Sequence, residues 1–393
     1  MNQDKSNLIT YFLRPMDDEI RSPAALSENL DAALNHNLTH KELSLILYHS
    51  TRDTKNNVYG EGKNKEEALT SIANKLQKWT DKVTHIKGKE CPFTYVHMIE
   101  SFRHLNLKPP ERLVEFLIKT LENNIHQARE TDIHFILLSF AELGITPSKK
   151  LYSGLNKRTL ELQNEFDKNS LFDVVRSLCI LDALHDVHYK TEENKNAKSS
   201  MDKVFKTILN NNKTREKLAV TEENKSQINI LSDALLWFMG ETPQPRIEDD
   251  VKSLYETDVA KAFSRAGTKV DEGVKIKNPN HTIDLKVTFN NTNIFIECDG
   301  PSHFIKSIDD HKMYPNGSTI FQTMLVAKSN PDALLLRLPS TVFYQNIDNP
   351  DFIDELLIQI DDLKDTRNAF VVGDNGLNEI HTGQDYRLNY NNT

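Results

Sequence analysis

Three carboxylates with regular spacing occur in the stretch from His281 to Phe304, which reads HTIDLKVTFNNTNIFIECDGPSHF. Apolar and polar residues alternate on both sides of Asn290-Asn291, and a pair of asparagines tolerates the positive φ of a two-residue turn. The pattern therefore predicts a β-hairpin. In the register that this turn sets, Asp284 lies directly opposite Glu297, and Asp299 follows two residues later on the same face.

Opposed carboxylates, with Cβ atoms about 5 Å apart, repel each other unless a cation or a proton lies between them. One hypothesis is a metal site in which Asp284, Glu297 and Asp299 hold Mg²⁺ or Mn²⁺, which activates water against a phosphodiester, with Lys286 as a nearby catalytic cation. The alternative is that Lys286, or an arginine elsewhere, neutralises the cluster while the carboxylates orient the next loop through backbone N–H groups. The spacing favours neither.

A histidine follows the last of these carboxylates. Gly300-Pro301-Ser302 predicts a tight turn, because glycine permits unusual backbone angles and proline stiffens the chain. His303 leaves this turn beside the carboxylates. It is a candidate proton donor in catalysis, a candidate metal ligand, and a candidate RNA contact through stacking or hydrogen bonding. A structural role for a single loop histidine is the alternative.

The elements that position these residues belong to an ordinary globular chain of 393 residues, 38% hydrophobic and 27% charged, which is too apolar for general disorder. No apolar run is long enough for a membrane helix, so we expect no membrane partner. The N-terminus lacks the pattern of a secretory signal. Three widely separated cysteines exclude a disulfide framework and a CxxC zinc site. We expect a cytoplasmic protein, most simply in a bacterial cytoplasm, with delivery into a host cell as an alternative.

The formal net charge of −9 argues against a strong, non-specific binder of nucleic acid. Most of this charge belongs to residues 346–393, which contain ten acidic and three basic side chains. The rest of the chain is close to neutral. It lacks the basic excess of a non-specific binder, so any affinity for nucleic acid should be modest and dependent on sequence.

Three segments in the middle of the chain resemble one another: residues 93–109, 131–147 and 169–186. Each contains a serine anchor (Ser101, Ser139 or Ser177), followed by a bulky apolar residue and by a leucine four positions after the serine. The anchors are 38 residues apart. This period predicts helical hairpins stacked into a solenoid. A non-repeating helical domain is the alternative.

The predicted domains are a helical region at 1–86, helical repeats at 87–240, a proline-containing linker at 241–249, an α/β domain at 250–345, and an acidic helix and tail at 346–393. The change from helical to strand periodicity after the linker sets the main boundary.

Three further patterns resemble the RAP domain of organellar RNA-processing proteins: the run Ile296 to Phe304, the segment Pro315 to Thr319, and the strand Leu334 to Pro339. The resemblance covers roughly Leu254 to Tyr344. RAP domains commonly follow helical repeats of the octotricopeptide type, and their fold is similar to the core of Vsr and other PD-(D/E)xK nucleases. The resemblance implies an α + α/β chain, in which an N-terminal α/α solenoid precedes a restriction-endonuclease-like domain.

The nuclease pattern matches only in part. Asp284 and Glu297 occupy its acidic positions, but Asp299 stands where the pattern has lysine. Lys286 and His303 are the candidates to replace that cation. The pattern therefore leaves open whether the chain is an enzyme.

The resemblance also implies that the inner face of the solenoid binds single-stranded RNA, with side chains of successive repeats contacting successive bases. The candidate RNA-binding residues are Tyr95, His97, Arg103 and His134 in the repeats, and His303 in the α/β domain. Ordinary helix surface is the alternative for the first four.

Three hypotheses for function follow. The first is an RNA-binding protein of RNA processing or stability, the second a metal-dependent endonuclease on RNA or DNA, and the third a helical scaffold for a protein partner.

Overall fold

The structure, a computed structural model, describes residues 71, 73–78, 80, 94–189, 200–219, 224–240, 252–276, 281–310, 312–330, 334–363, 369–373 and 376–379. The predicted linker at 241–249 and most of the predicted region at 1–86 lie outside these residues. The chain divides into two compact units. The first comprises residues 1–167 with 305–314, and the second comprises residues 168–304 with 315–393.

The helices are α1 (Thr94–Leu105), α2 (Glu111–Asn124), α3 (Glu130–Glu142), α4 (Lys149–Leu162), α5 (Lys168–Tyr189), α6 (Ser200–Asn210), α7 (Asn212–Lys217), α8 (Lys225–Met239), α9 (Leu254–Arg265), α10 (Gly317–Ser329), α11 (Ser340–Gln345) and α12 (Phe352–Leu363). The strands are β1 (Leu107–Lys108), β2 (Lys269–Lys275), β3 (Thr282–Phe289), β4 (Thr292–Asp299), β5 (Phe304–Ser307), β6 (Met313–Pro315), β7 (Leu334–Pro339), β8 (Ala369–Gly373) and β9 (Gly376–Glu379). Helices thus dominate the N-terminal part, and the larger sheet lies towards the C-terminus.

In the first unit, each of the first two similar segments begins a pair of helices. Helix α1 packs against α3, α2 packs against α4, and α3 packs against α4. The serine anchors Ser101 and Ser139 are buried, together with the apolar residues Phe102 and Phe140 that follow them. Ser148 ends the loop before α4 and caps that helix, since its hydroxyl accepts a hydrogen bond from the Leu151 amide.

A segment from much later in the chain completes this unit. Strand β5 lies parallel to β1, with Leu107 opposite Lys306 and Lys108 opposite Ser307. The Lys108 ammonium lies 4.4 Å from the centroid of the Tyr314 ring. Residues 305–314 therefore contribute most of β5 and β6 to the first unit, where these strands form a three-stranded sheet with β1. Apolar periodicity did not predict this insertion.

The second unit is built on a six-stranded sheet with the order β2-β3-β4-β7-β8-β9. The predicted hairpin is confirmed: β3 and β4 are antiparallel, and Phe289 lies opposite Thr292. Asn290 and Asn291 join them with φ of 45° and 61°. Strands β4, β7 and β8 are parallel to one another, and every residue of β7 is buried, as expected for a central strand covered on both faces.

Helices cover both faces of this sheet. One face packs on apolar residues of α9, α11 and α12, such as Phe263, Phe343 and Leu357. The other face packs on α10 through Val326. Helix α10 in turn packs against α5. In the parts of the chain that the structure describes, no helix is both long and apolar enough to cross a membrane.

Candidate functional site

The predicted site residues lie where β4 and β7 end. These two strands are parallel, so Asp299, the last residue of β4, lies beside Pro339, the last residue of β7. The turn Gly300 to Ser302 follows β4, and a 3₁₀ turn spans Pro301 to His303. Ligands of open α/β sheets bind at such carboxyl-terminal edges, because loops rather than ladder hydrogen bonds line them.

A buried ion pair closes this edge. Arg337 in β7 donates hydrogen bonds from Nε and Nη2 to the two carboxylate oxygens of Asp299, both at 2.6 Å. Each residue is only 2% exposed. Burial disfavours the charged guanidinium, but the Asp299 carboxylate outweighs this effect and raises the pKa of Arg337. The second sequence-based alternative offered Lys286 or an arginine elsewhere in the chain as the neutralising cation, and Arg337 is an arginine in that position.

The ion pair is tied to helix α10. Arg337 Nη1 donates to the Thr323 hydroxyl at 3.1 Å, and that hydroxyl donates to the Thr319 carbonyl at 2.7 Å. The Thr319 hydroxyl donates to the His303 carbonyl at 3.0 Å. Asn316, the N-cap of α10, also donates its backbone N–H to that carbonyl at 2.9 Å. These successive hydrogen bonds fix the backbone at His303.

The imidazole of His303 contacts the ion pair through the Asp299 carboxylate. Its Nδ1 lies 3.2 Å from Asp299 Oδ1, and 40% of its side chain is exposed. Burial lowers the pKa of His303, with the Arg337 charge acting in the same direction and Asp299 opposing it. The ring is therefore neutral at pH 7. Because Nδ1 faces a carboxylate, we infer that Nδ1 carries the proton and that Nε2 is a hydrogen-bond acceptor.

The other two carboxylates have different partners. His281 Nε2 lies 2.9 Å from Glu297 Oε1. Burial would raise the pKa of Glu297, but the contact with His281 outweighs it and the pKa is lowered. Asp284 accepts a hydrogen bond from the Cys298 amide at 2.7 Å. Burial, with the nearby Glu297 charge, raises the pKa of Asp284 to about 8.

The structure therefore brings Asp284, Glu297 and Asp299 to one region but gives each its own partner. Among the residues described, no three His, Cys, Asp or Glu side chains are arranged to hold a metal ion. Lys286 lies on β3 opposite Phe295 and Asp271. Its ammonium makes no ion pair within the described part of the chain, so the cation next to Asp299 is Arg337.

The candidate RNA-binding residues of the repeats lie on α1 and α3. The His97 ring is 6.3 Å from the Phe135 ring, and the His134 ring stacks on Phe135 at 5.1 Å. The side chain of Tyr95 lies outside the described residues. His97 and His134 thus surround one phenylalanine on neighbouring helices.

Arg103 has a different environment. Its guanidinium is 10% exposed and pairs with Glu100 of its own helix and, at 2.8 Å, with Glu142 of α3. The carboxylate of Glu100 also accepts a hydrogen bond from the Ser139 hydroxyl at 2.6 Å. Burial opposes ionisation of Glu100, but hydrogen bonds from His104, Arg103 and Ser139 outweigh it and lower its pKa to about 2. Arg103 therefore joins α1 to α3.

The sequence patterns did not identify four of the residues that form the site: Arg337, Thr319, Thr323 and His281. One signal was available for Arg337: it is the single charged residue in the apolar strand Leu334 to Pro339, and a buried charge needs a partner. The two threonines and His281 gave no comparable signal, because their partners are known only once α10 and β3 are placed.

Comparison of the sequence with models of known protein families and with curated proteins gave no match. Function is therefore inferred from the residues and their geometry.

We predict that Arg337→Met destabilises the fold by about 3–5 kcal/mol, because it leaves the buried Asp299 carboxylate without its counter-ion. The double variant Asp299→Asn/Arg337→Met should lose less free energy of unfolding than the sum of the losses in the two single variants. Urea denaturation of the four proteins measures this coupling. Additive single effects would contradict an energetic role for the ion pair.

We also predict a pH-dependent effect of Asp284→Asn. The folded chain holds a proton on Asp284 up to about pH 8, whereas an unfolded aspartate releases it near pH 4. Wild-type stability should fall across this window by up to about 1.4 kcal/mol per pH unit from this group. The variant's free energy of unfolding, relative to wild type, should therefore rise from about pH 5 to pH 8.

Urea denaturation at several pH values measures that difference. Asp351→Asn, at an exposed position, is the control and should give a constant offset. A constant offset for Asp284→Asn as well would show that Asp284 is ionised in the folded chain.

Proposed function

We propose that this chain is a single-stranded RNA-binding protein of RNA processing or stability, in which helical repeats of the octotricopeptide type precede a RAP-type α/β domain. The observation that carries the proposal is the half-exposed imidazole of His303, held on the buried Asp299–Arg337 pair at the carboxyl-terminal edge of β4 and β7.

The neutral ring of His303 suits a nucleobase better than a phosphate. An imidazole offers a flat surface for stacking, and the inferred acceptor Nε2 can take a hydrogen bond from an exocyclic amino group. The Asp299–Arg337 pair adds no net charge, so this contact depends on the shape and hydrogen bonding of the base. Such a site agrees with the modest, sequence-dependent affinity expected from the nearly neutral body of the chain.

Packing in the first unit supports the repeat part of the proposal. Helices α1 and α2 form one helical hairpin, and α3 and α4 form the next. The first helices of the two hairpins, α1 and α3, pack together, and so do the second helices, α2 and α4, as in stacked hairpins. His97 and His134, on these neighbouring first helices, are the remaining repeat candidates for base contacts. Arg103 is omitted from the proposed RNA site, because its guanidinium is buried against Glu100 and Glu142.

The test is binding of a labelled, random-sequence single-stranded RNA by the full chain at low salt. His303→Ala should weaken binding about tenfold, since one stacked base contributes about 1–3 kcal/mol. His303→Phe should recover the stacking part and lose the hydrogen bond. His126→Ala, which removes another exposed histidine, is the matched control and should bind as wild type does. Failure of the wild-type chain to bind RNA at low salt contradicts the proposal.

A second candidate function is a metal-dependent endonuclease of the PD-(D/E)xK type. The observation that favours it is the pair Asp284 and Glu297, because the raised pKa of Asp284 marks two carboxyl groups that a bound cation would stabilise. Against it, Asp299 occupies the lysine position and is paired with Arg337. The geometry therefore favours binding over cleavage.

The endonuclease hypothesis predicts that RNA or DNA is cut when Mg²⁺ or Mn²⁺ is added, and that Asp284→Ala abolishes cutting. Gel analysis of labelled substrates, with and without EDTA, measures this activity. Asp351→Asn is the control for preparation and contaminants. No cutting by the wild-type chain with either metal would exclude the second candidate while leaving RNA binding intact.

A further inference from the structure

An exposed tyrosine is attached to the carboxyl-terminal end of β7. Helix α11 follows β7 directly, and Tyr344 in its last turn is 44% exposed. The Tyr344 ring lies 5.6 Å from the ring of Tyr255 in α9. The Tyr255 hydroxyl in turn donates a hydrogen bond to the Leu338 carbonyl of β7 at 2.6 Å. One aromatic neighbour therefore joins Tyr344 to the strand that carries Arg337.

Tyr344 is held in one orientation although its ring is exposed. Its hydroxyl donates a hydrogen bond to Asp258 of α9 at 3.3 Å. Its ring meets the buried ring of Phe343 edge-on, with centroids 5.4 Å apart. Among the exposed large hydrophobic side chains of the described residues, Tyr344 is the one aromatic ring. A ring that is already fixed loses little further freedom when a flat ligand stacks on it.

The carboxylate that holds Tyr344 also contacts a basic groove. Asp258 Oδ1 lies 3.8 Å from the ammonium of Lys261, one turn further along α9. Lys261, Ser264 and Arg265 of α9 line this groove of about 430 Å³, together with Glu272 of β2. The groove therefore begins one side-chain contact away from the Tyr344 hydroxyl.

The groove has one cation that no carboxylate of the described residues neutralises. The Glu272 carboxylate pairs with the Lys252 ammonium at 2.7 Å, and Lys261 shares the Asp258 carboxylate. Within the described part of the chain, the exposed guanidinium of Arg265 makes no ion pair. Its N–H donors form a planar fork that matches a phosphate. The groove can therefore take an anionic group at Arg265.

We propose that Tyr344 and the groove along α9 bind a short stretch of single-stranded RNA, with a base stacked on the Tyr344 ring and a backbone phosphate on the Arg265 guanidinium. This inference rests on the proposed RNA-binding function. It adds a second contact region on the face of the sheet that α9 covers, whereas His303 lies against α10 on the other face.

The arrangement of the two parts favours RNA as the occupant. Sites for single strands combine aromatic rings, on which bases stack, with a positively charged groove that follows the backbone. Arg265 lies seven residues after Asp258, which corresponds to roughly 10 Å along α9. Two successive nucleotides can cover that distance. An acidic peptide would pair with Arg265 but would have no use for the exposed ring of Tyr344.

The first experiment tests the base contact. It measures the affinity of the full chain for labelled, random-sequence single-stranded RNA at several salt concentrations. Tyr344→Ala should weaken binding about tenfold, as expected for one stacked base, without changing the slope of log K against log salt, because the ring is uncharged. Tyr344→Phe keeps the ring and should bind almost as wild type does. Ile358→Ala, which removes an exposed apolar side chain of α12, is the matched control and should have wild-type affinity.

The second experiment tests the phosphate contact with the same RNA. Loss of one phosphate contact lowers the salt slope by about 0.7. Arg265→Gln should therefore bind more weakly at low salt and show this smaller slope. Arg215→Gln is the matched control, because Arg215 is exposed on α7 and contacts Asn212 of its own helix. Its affinity and slope should stay at wild-type values.

The outcomes separate the inference from the proposed function. Wild-type affinity of Tyr344→Ala, or a wild-type slope for Arg265→Gln, overturns the inference while RNA binding through His303 stands. Displacement of the RNA by polyglutamate as effectively as by unlabelled RNA would assign the groove to an acidic peptide and overturn it too. If the wild-type chain binds no RNA at low salt, the proposed function fails and the inference fails with it.

Ultraviolet crosslinking of the wild-type chain to the RNA gives an answer even if Tyr344→Ala does not fold. Mass spectrometry of the digested complex should find an RNA adduct on the peptide that contains Tyr344. Adducts confined to other peptides would contradict the inference.

Discussion

The buried ion pair between Asp299 and Arg337 is the constraint on which the candidate site depends. Removing both charges from water costs several kcal/mol, and only close, bidentate geometry recovers that cost. The pair can form only if β4 and β7 lie side by side in this register, because Asp299 is the last residue of β4 and Arg337 lies two residues before the end of β7. Thr323 accepts the remaining guanidinium contact, so the same constraint fixes α10 against the sheet.

Different hydrogen-bond partners explain why the pKa of Glu297 is lowered while that of the neighbouring Asp284 is raised. Asp299 has a guanidinium and Glu297 has an imidazole, whereas the partner of Asp284 among the described residues is a backbone amide. At Glu297 the hydrogen bond with His281 and the nearby Arg337 charge outweigh the loss of hydration, whereas the single N–H dipole at Asp284 does not. Asp284 is therefore the group at which a proton, or a cation, would relieve the local repulsion.

Local patterns predicted the hairpin, because alternation and the Asn290-Asn291 turn act over a few residues. The pairing across the crossover was not predictable, because Arg337 lies 38 residues from Asp299. The sequence signals that Arg337 needs a buried partner, but it does not indicate which carboxylate that partner is. The same limit explains Arg103. It was predicted to face RNA as a basic residue on a repeat helix, but Glu142, 39 residues later, draws its guanidinium inside. The spacing of residues predicts the helix face on which a side chain lies, but the ion-pair partner determines whether a charged side chain such as Arg103 is buried or exposed.

Helix α10 has two roles that cannot be varied separately. Thr319 and Thr323 face the ion pair and His303, while Ser318 and Phe321 contact Arg176 and Trp237. Close-packed interfaces transmit displacements rather than absorb them. A ligand that shifts His303 must therefore act on α10 and, through α10, on α5 and α8. Within the second unit, the edge of the sheet and the helices beside it are therefore mechanically coupled through α10.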